Sequence, residues 1–129
     1  MNETNNKFLQ WLQKGKVILS DGAMGTILHQ KGIQIDVCFD HLNLTQPAIV
    51  AEIHREYIEA GSNMIQTNTF GANRYKLARF GLENKVAEIN QAAVDLLRRV
   101  TLASFREVLI AGDVGPLGVR LAPFGRVQL

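Results

Sequence analysis

The chain is 129 residues long with a formal charge of +2, and 47% of its residues are hydrophobic and 20% charged. That composition excludes a disordered tail, a collagen-like rod and a coiled coil, and the length allows one domain with one core. Its basic residues are scattered rather than clustered, which removes the electrostatic case for a nucleic-acid partner. A single cysteine excludes an internal disulfide framework and, by itself, a thiolate metal site.

The first residues, Met1 to Lys7, are polar and lack an apolar stretch, so no secretory signal is expected. No apolar run is long enough to span a bilayer. A cytoplasmic protein without a membrane partner is the expectation. The first element is a short amphipathic helix carrying Phe8, Leu9, Trp11 and Leu12, within a helical lead-in over 1–16. Three apolar runs follow, Val17–Leu19, Asn63–Gln66 and Val108–Ala111, starting about 45 residues apart. Continuous apolar character predicts strands covered on both faces, as in a parallel sheet.

Between the first two runs a helix is predicted over 46–60. Thr45 is the expected N-cap, Pro47 occupies the first turn and Gly61 stops it, with Val50, Ile53, Tyr57 and Ala60 on the buried face. Between the second and third runs, Val86, Ile89, Ala93, Leu96, Leu97 and Val100 repeat at steps of three and four, predicting a helix over 83–103. Beyond Ala111 the sequence reads as a loop, and 120–129 supplies no further complete element. Strands separated by helices imply right-handed crossovers and a parallel sheet. Three strands are few for that, so the region 17–129 reads either as a small open sheet or as the beginning of something larger.

All three predicted strands run into polar, glycine-rich turns: Ser20-Asp21-Gly22-Ala23-Met24-Gly25, Gln66-Thr67-Asn68-Thr69-Phe70-Gly71 and Gly112-Asp113-Val114-Gly115-Pro116. In a parallel α/β protein these ends share one rim, where ligands bind. Asp21, Thr67, Asn68 and Asp113 are therefore expected to converge there, although each alone is a common turn residue. The first turn has neither the glycine spacing of a dinucleotide fingerprint nor the Lys-Ser/Thr of a phosphate loop. His29, His41 and His54 are too dispersed for a metal motif. His54 reads as a helix-surface or sheet-packing residue, and Cys38 as a small buried side chain.

These blocks resemble the homocysteine S-methyltransferase family. The likeness runs through Val17–Thr26, Leu42–Pro47, Ile53–Tyr57, Ala60–Ser62, Ile65–Leu82, Glu88–Val94 and Gly112–Pro116. The block 71–82 looks closest to bacterial proteins that join such a domain to a methylenetetrahydrofolate reductase. The resemblance implies an eight-stranded TIM-type (β/α)8 barrel, of which this chain would supply about three βα units. It also implies transfer of a methyl group to the thiol of homocysteine, forming methionine, with zinc held by three cysteine thiolates. By the same resemblance Asp21 would accept the substrate ammonium and the Gly22 and Ala23 amides its carboxylate. Met24, Thr67 and Asn68 would line the pocket, and Asp113 would support its rim. The family's zinc cysteines lie on later strands that this sequence does not contain, and Cys38 matches none of them. The expectation is a chain that alone holds no catalytic zinc and turns over no substrate. Its partners would be homocysteine, a methyl donor of unspecified kind, and the remainder of a barrel or a reductase domain. The alternative is an inactive fragment that acts as an interaction or homocysteine-binding module.

Overall fold

The computed structural model describes residues 6–128; the start of the lead-in (1–5) and residue 129 lie outside the described residues. The chain is α/β, with six α-helices and a two-stranded parallel sheet among the described residues. Helix α1 (Lys7–Gln13) is capped by Asn6, whose Oδ1 accepts from the amides of Phe8 and Leu9. Trp11 is its buried anchor, roofed by the Lys16 ammonium 3.2 Å from the ring centroid, and Lys7 pairs with Glu107 just before β2.

Helix α2 (Gly25–Gln30) lies where only a turn was expected; Leu28 is completely buried beneath it. A 3-10 turn (Phe39–His41) leads into α3 (Leu42–Thr45) and then α4 (Pro47–Glu59). Thr45 does not cap α4: it is the last residue of α3, and its hydroxyl donates to the His41 carbonyl. Gln46 takes the N-cap position without a side-chain hydrogen bond, and Pro47 opens the first turn as expected. Gly61, at φ +115°, ends the helix in a conformation that other residues rarely adopt. The buried face of α4 is Val50, Ile53, His54 and Ile58, with Tyr57 partly buried; Ala60 is exposed, contrary to the expectation.

Strand β1 (Met64–Gln66) is followed by α5 (Arg74–Ala78), a 3-10 turn (Glu83–Lys85), α6 (Val86–Ala103) and β2 (Leu109–Ala111). Helix α6 buries Ile89, Ala93, Leu96, Leu97 and Val100, the stripe its periodicity predicts. Leu96, Leu97 and Val100 pack with Val50, Ile53, Ile58, Leu28, Leu42 and Ile65 in the main core. Each such fully buried aliphatic side chain stabilises the fold by roughly 1.5–3 kcal/mol. Leu77 of α5, Ile89, Ala72 and Cys38 form a smaller second cluster.

The strands pair in parallel, Met64 with Leu109, Ile65 with Ile110 and Gln66 with Ala111. The first apolar run departs from its expectation. It makes one parallel bridge, Ser20 to Met64, and no ladder. Side chains interrupt the pairing at both ends. The Leu19 amide donates to Asn63 Oδ1 (2.7 Å), and the Gln66 amide donates to Asp21 Oδ2 (3.1 Å) instead of continuing into a neighbouring carbonyl. Nor is this run covered on both faces: Val17 is 85% and Leu19 54% exposed. At the centre of the sheet Ile65 of β1 is fully buried, but its partner Ile110 of β2 is 37% exposed, so β2 is not covered on both faces either. Past β2 the described residues form no further helix or strand, only a bridge between Leu121 and Val127. No described helix is long and apolar enough to cross a membrane.

Candidate functional site

The carboxyl ends of the first segment, β1 and β2 meet around a cavity of about 360 Å3. Asp21, Gly22, Met24, Thr67, Asn68 and Asp113 all line it; Ala23 does not. Phe39, Asp40, Gln66, Phe70 and Gly71 complete the wall, with Gly25 beside Met24.

The loop after the first segment is held from two sides. Asp21 Oδ2 accepts from the Gln66 amide, and Oδ1 from Ser20 Oγ (3.1 Å) and Gln66 Nε2 (3.4 Å). Burial raises the Asp21 pKa, against the lowering effect of these hydrogen bonds. Tyr57 of α4 donates its hydroxyl to the Ala23 carbonyl at 2.8 Å. A Cβ on Gly22 would lie 3.0 Å from that hydroxyl, so the glycine allows the ring to approach. The amides of Gly22 and Ala23 donate to no acceptor among the described residues.

Thr67 and Asn68 are buried, and their polar groups serve the architecture. Thr67 Oγ1 accepts from the Asp113 amide (3.0 Å) and shares a 2.7 Å hydrogen bond with Thr69 Oγ1, which donates to the Asp113 carbonyl. Asn68 Nδ2 donates to the Phe39 carbonyl at 2.8 Å. These residues therefore fix the rim. The Asp113 carboxylate accepts no hydrogen bond from the described residues.

Sequence reasoning passed over Asp40, Tyr57, Gln66 and Asn43. Asp40 Oδ1 accepts from the Gly71 amide at 2.8 Å. Burial raises its pKa, and the nearby Asp113 carboxylate pushes the same way while Lys76 opposes. The only signal for Asp40 was a glycine, Gly71, at a position whose demand is close approach rather than an unusual turn.

His54 is sealed inside the core, and neither ring nitrogen has a hydrogen-bond partner. Burial pushes its pKa down to about 4. Cys38 is buried, its thiol pKa raised chiefly by that burial, and it lies outside the cavity wall. Among the described residues no three His, Cys, Asp or Glu side chains are grouped to hold a metal ion. With a single cysteine in the sequence, the residues present do not fit a zinc held by three thiolates.

Residues 18–128 match the family model described as Homocysteine S-methyltransferase. The chain belongs to that family. It is 32% identical over 122 residues to the methionine synthase of Mycobacterium leprae, covering 88% of this chain and 10% of that relative. It is 36% identical over 113 residues to betaine--homocysteine S-methyltransferase 1 of Bos taurus, covering 82% of this chain and 27% of that protein. In three dimensions it is similar to the metallated form of the homocysteine methyltransferase MmuM of Escherichia coli. There the TM-score is 0.73 at 29% identity, with 85% of this chain and 42% of that one covered. This family member thus spans less than half the length of these relatives.

Proposed function

We propose that this chain is the homocysteine-binding rim of a homocysteine S-methyltransferase, forming the first βα units of a (β/α)8 barrel from residue 17 onward, after a lead-in over 1–16. The whole protein would transfer a methyl group to the homocysteine thiol to form methionine. The observation that carries this reading is the cavity at the strand ends, walled by Asp21, Gly22, Met24, Thr67, Asn68 and Asp113 in a chain of that family.

The division of labour follows from the chemistry of an amino thiol. Asp21 attracts the ammonium group, and the unengaged Gly22 amide on the cavity wall suits the carboxylate. Thr67 ties the wall to the segment after β2, Asn68 ties it to the Phe39 loop, and Asp113 closes the rim. Methyl transfer needs the sulfur as thiolate. The described residues offer no metal-binding group to stabilise it, so this chain by itself binds the amino thiol without turning it over. A complete protein would add the rest of the barrel, a methyl donor site and, on the resemblance of residues 71–82, a reductase domain.

The test is calorimetric titration of the purified chain with L-homocysteine under reducing conditions. One-site binding that weakens about tenfold or more in Asp21→Asn is expected from loss of a charge-assisted contact. Binding equally strong in the variant, or no uptake at millimolar ligand, would sink the reading.

A further inference from the structure

Helices α4 and α6 pack side by side, and their outer faces leave a furrow at the surface. Two hollows of about 390 and 280 Å3 make it up, and they run together because Arg55, Val100 and Ala103 line both. The furrow starts at the first turn of α4 and ends at Phe105, just past the last turn of α6. The 13 residues of α4 give it a length of about 20 Å, room for about three to four helical turns. We propose that this furrow docks an amphipathic helix of a partner, one whose apolar seam is flanked by acidic side chains. The site is independent of the homocysteine cavity. Its Phe105 end lies where the chain enters β2, whereas the cavity lies where the strands end, so an occupied furrow leaves the cavity open.

Charge selects the occupant. The furrow carries Arg55 from α4, Arg99 from α6 and Arg106 at its end, against a single acid, Glu59. Arg55 and Arg99 are exposed, and neither forms a hydrogen bond or ion pair among the described residues. Arg55 is close enough to help lower the pKa of Glu52, but that carboxylate is already paired with Lys31 at 2.9 Å. Two free cations on the two helices that border one apolar furrow suit carboxylates brought by a partner. The same excess of positive charge disfavours a second copy of this chain, which would set like charge against like.

Shape agrees with charge. Ala48, Ala51 and Ala103 keep the furrow's sides low, so the backbone of a third helix can come close. Phe105 is its end-stop. The side chain is fully exposed, and the residue stands at φ +55°, a conformation that bulky side chains rarely adopt. A bracket fixes the backbone on both sides of it. Ser104 Oγ donates to the Thr101 carbonyl (2.8 Å) and accepts from the Arg106 amide (3.3 Å), while Arg106 Nη1 donates to the Ile58 carbonyl of α4 (2.7 Å). An aromatic ring braced in solvent beside a hollow is packing left for a partner to complete.

The experiment is fluorescence anisotropy of two labelled helical peptides, each of about 18 residues, titrated with the purified chain at low salt. Both carry leucine at steps of three and four; one has glutamate along the flanks of that seam and the other lysine. The glutamate peptide is expected to bind with a Kd at or below about 100 μM, and the lysine peptide at least about tenfold more weakly. Phe105→Gly suits the positive φ and so preserves the fold; it should weaken the glutamate peptide about tenfold. Arg55→Gln combined with Arg99→Gln, both at exposed positions, should weaken it by a similar factor and remove most of the sensitivity to added salt. Equal affinity for the two peptides, no binding of the glutamate peptide at about 1 mM, or full binding by Phe105→Gly each overturns the proposal. A dimer seen by sedimentation in the unaltered chain and abolished in Phe105→Gly assigns the furrow to a second copy and overturns it too.

Discussion

Acid should loosen this protein through one residue. His54 lies within the core with both ring nitrogens unpaired, and its pKa falls from 6.5 to about 4 because burial disfavours the charged ring. The folded imidazole thus resists a proton that the unfolded one accepts. Stability is fully present above 6.5 and drains away as pH falls from there toward 4. Across that interval the loss amounts to about 3 kcal/mol, of which about 2 kcal/mol has gone by pH 5. For a domain whose whole stability is of order 5–15 kcal/mol, this is a large share. Burial of Asp21 and Asp40 works in the opposite sense. Their raised pKa values let the folded state bind those protons first, which favours it as pH falls. The two contributions separate in His54→Leu, which keeps both aspartates. Urea unfolding at pH 7.5 and pH 5 should show the unaltered chain losing about 2 kcal/mol more than the variant over that step. The variant should be at least as stable at pH 7.5, since it removes two unpaired buried nitrogens. An equal loss in the variant would refute the assignment of acid sensitivity to His54.

Two further substitutions probe the core and the rim. Leu97→Ala, at a completely buried position where α6 meets the main cluster, should cost about 2–5 kcal/mol in a urea melt. Leu102→Ala, at a position 83% exposed on the same helix, should stay within about 0.5 kcal/mol and serves as its control. Tyr57→Phe removes the hydroxyl that holds the Ala23 carbonyl; it should cost about 0.5–1.5 kcal/mol and weaken homocysteine in the titration assay.

The long helices were legible because burial repeats along them. The spacing of Ile89, Ala93, Leu96, Leu97 and Val100 is enough to mark the inward face of α6. Helices α2 and α5 are too short for such a period to accumulate; each is secured by one fully buried leucine, Leu28 or Leu77. The first apolar run failed as a strand for a reason that composition cannot carry. Its neighbours Asp21 and Asn63 take the backbone amides that a ladder requires. The turn residues after each predicted strand do gather at one cavity, because parallel strands present their carboxyl ends together. Asp40 was invisible since Phe39-Asp40-His41 has no spacing signature; its carboxylate is placed by the Gly71 amide, a contact formed across the fold, with a local bond from Asn43 to its carbonyl. Cys38 is buried as its residue type suggests, whereas the complete enclosure of His54 shows how readily a helix places a polar ring among aliphatic neighbours.

The carboxylate of Asp21 does two jobs with one side chain: it lines the cavity, and it receives the Gln66 amide where the sheet would otherwise leave that donor unmatched. That duality constrains drift. A descendant that no longer bound any ligand would still need an acceptor at this position, and Asp or Asn would persist for the sake of the backbone. The aspartate is therefore a poor witness to whether a distant relative still binds. Asp113, whose carboxylate accepts no hydrogen bond among the described residues, is free to vanish once the ligand does, and its survival speaks for use.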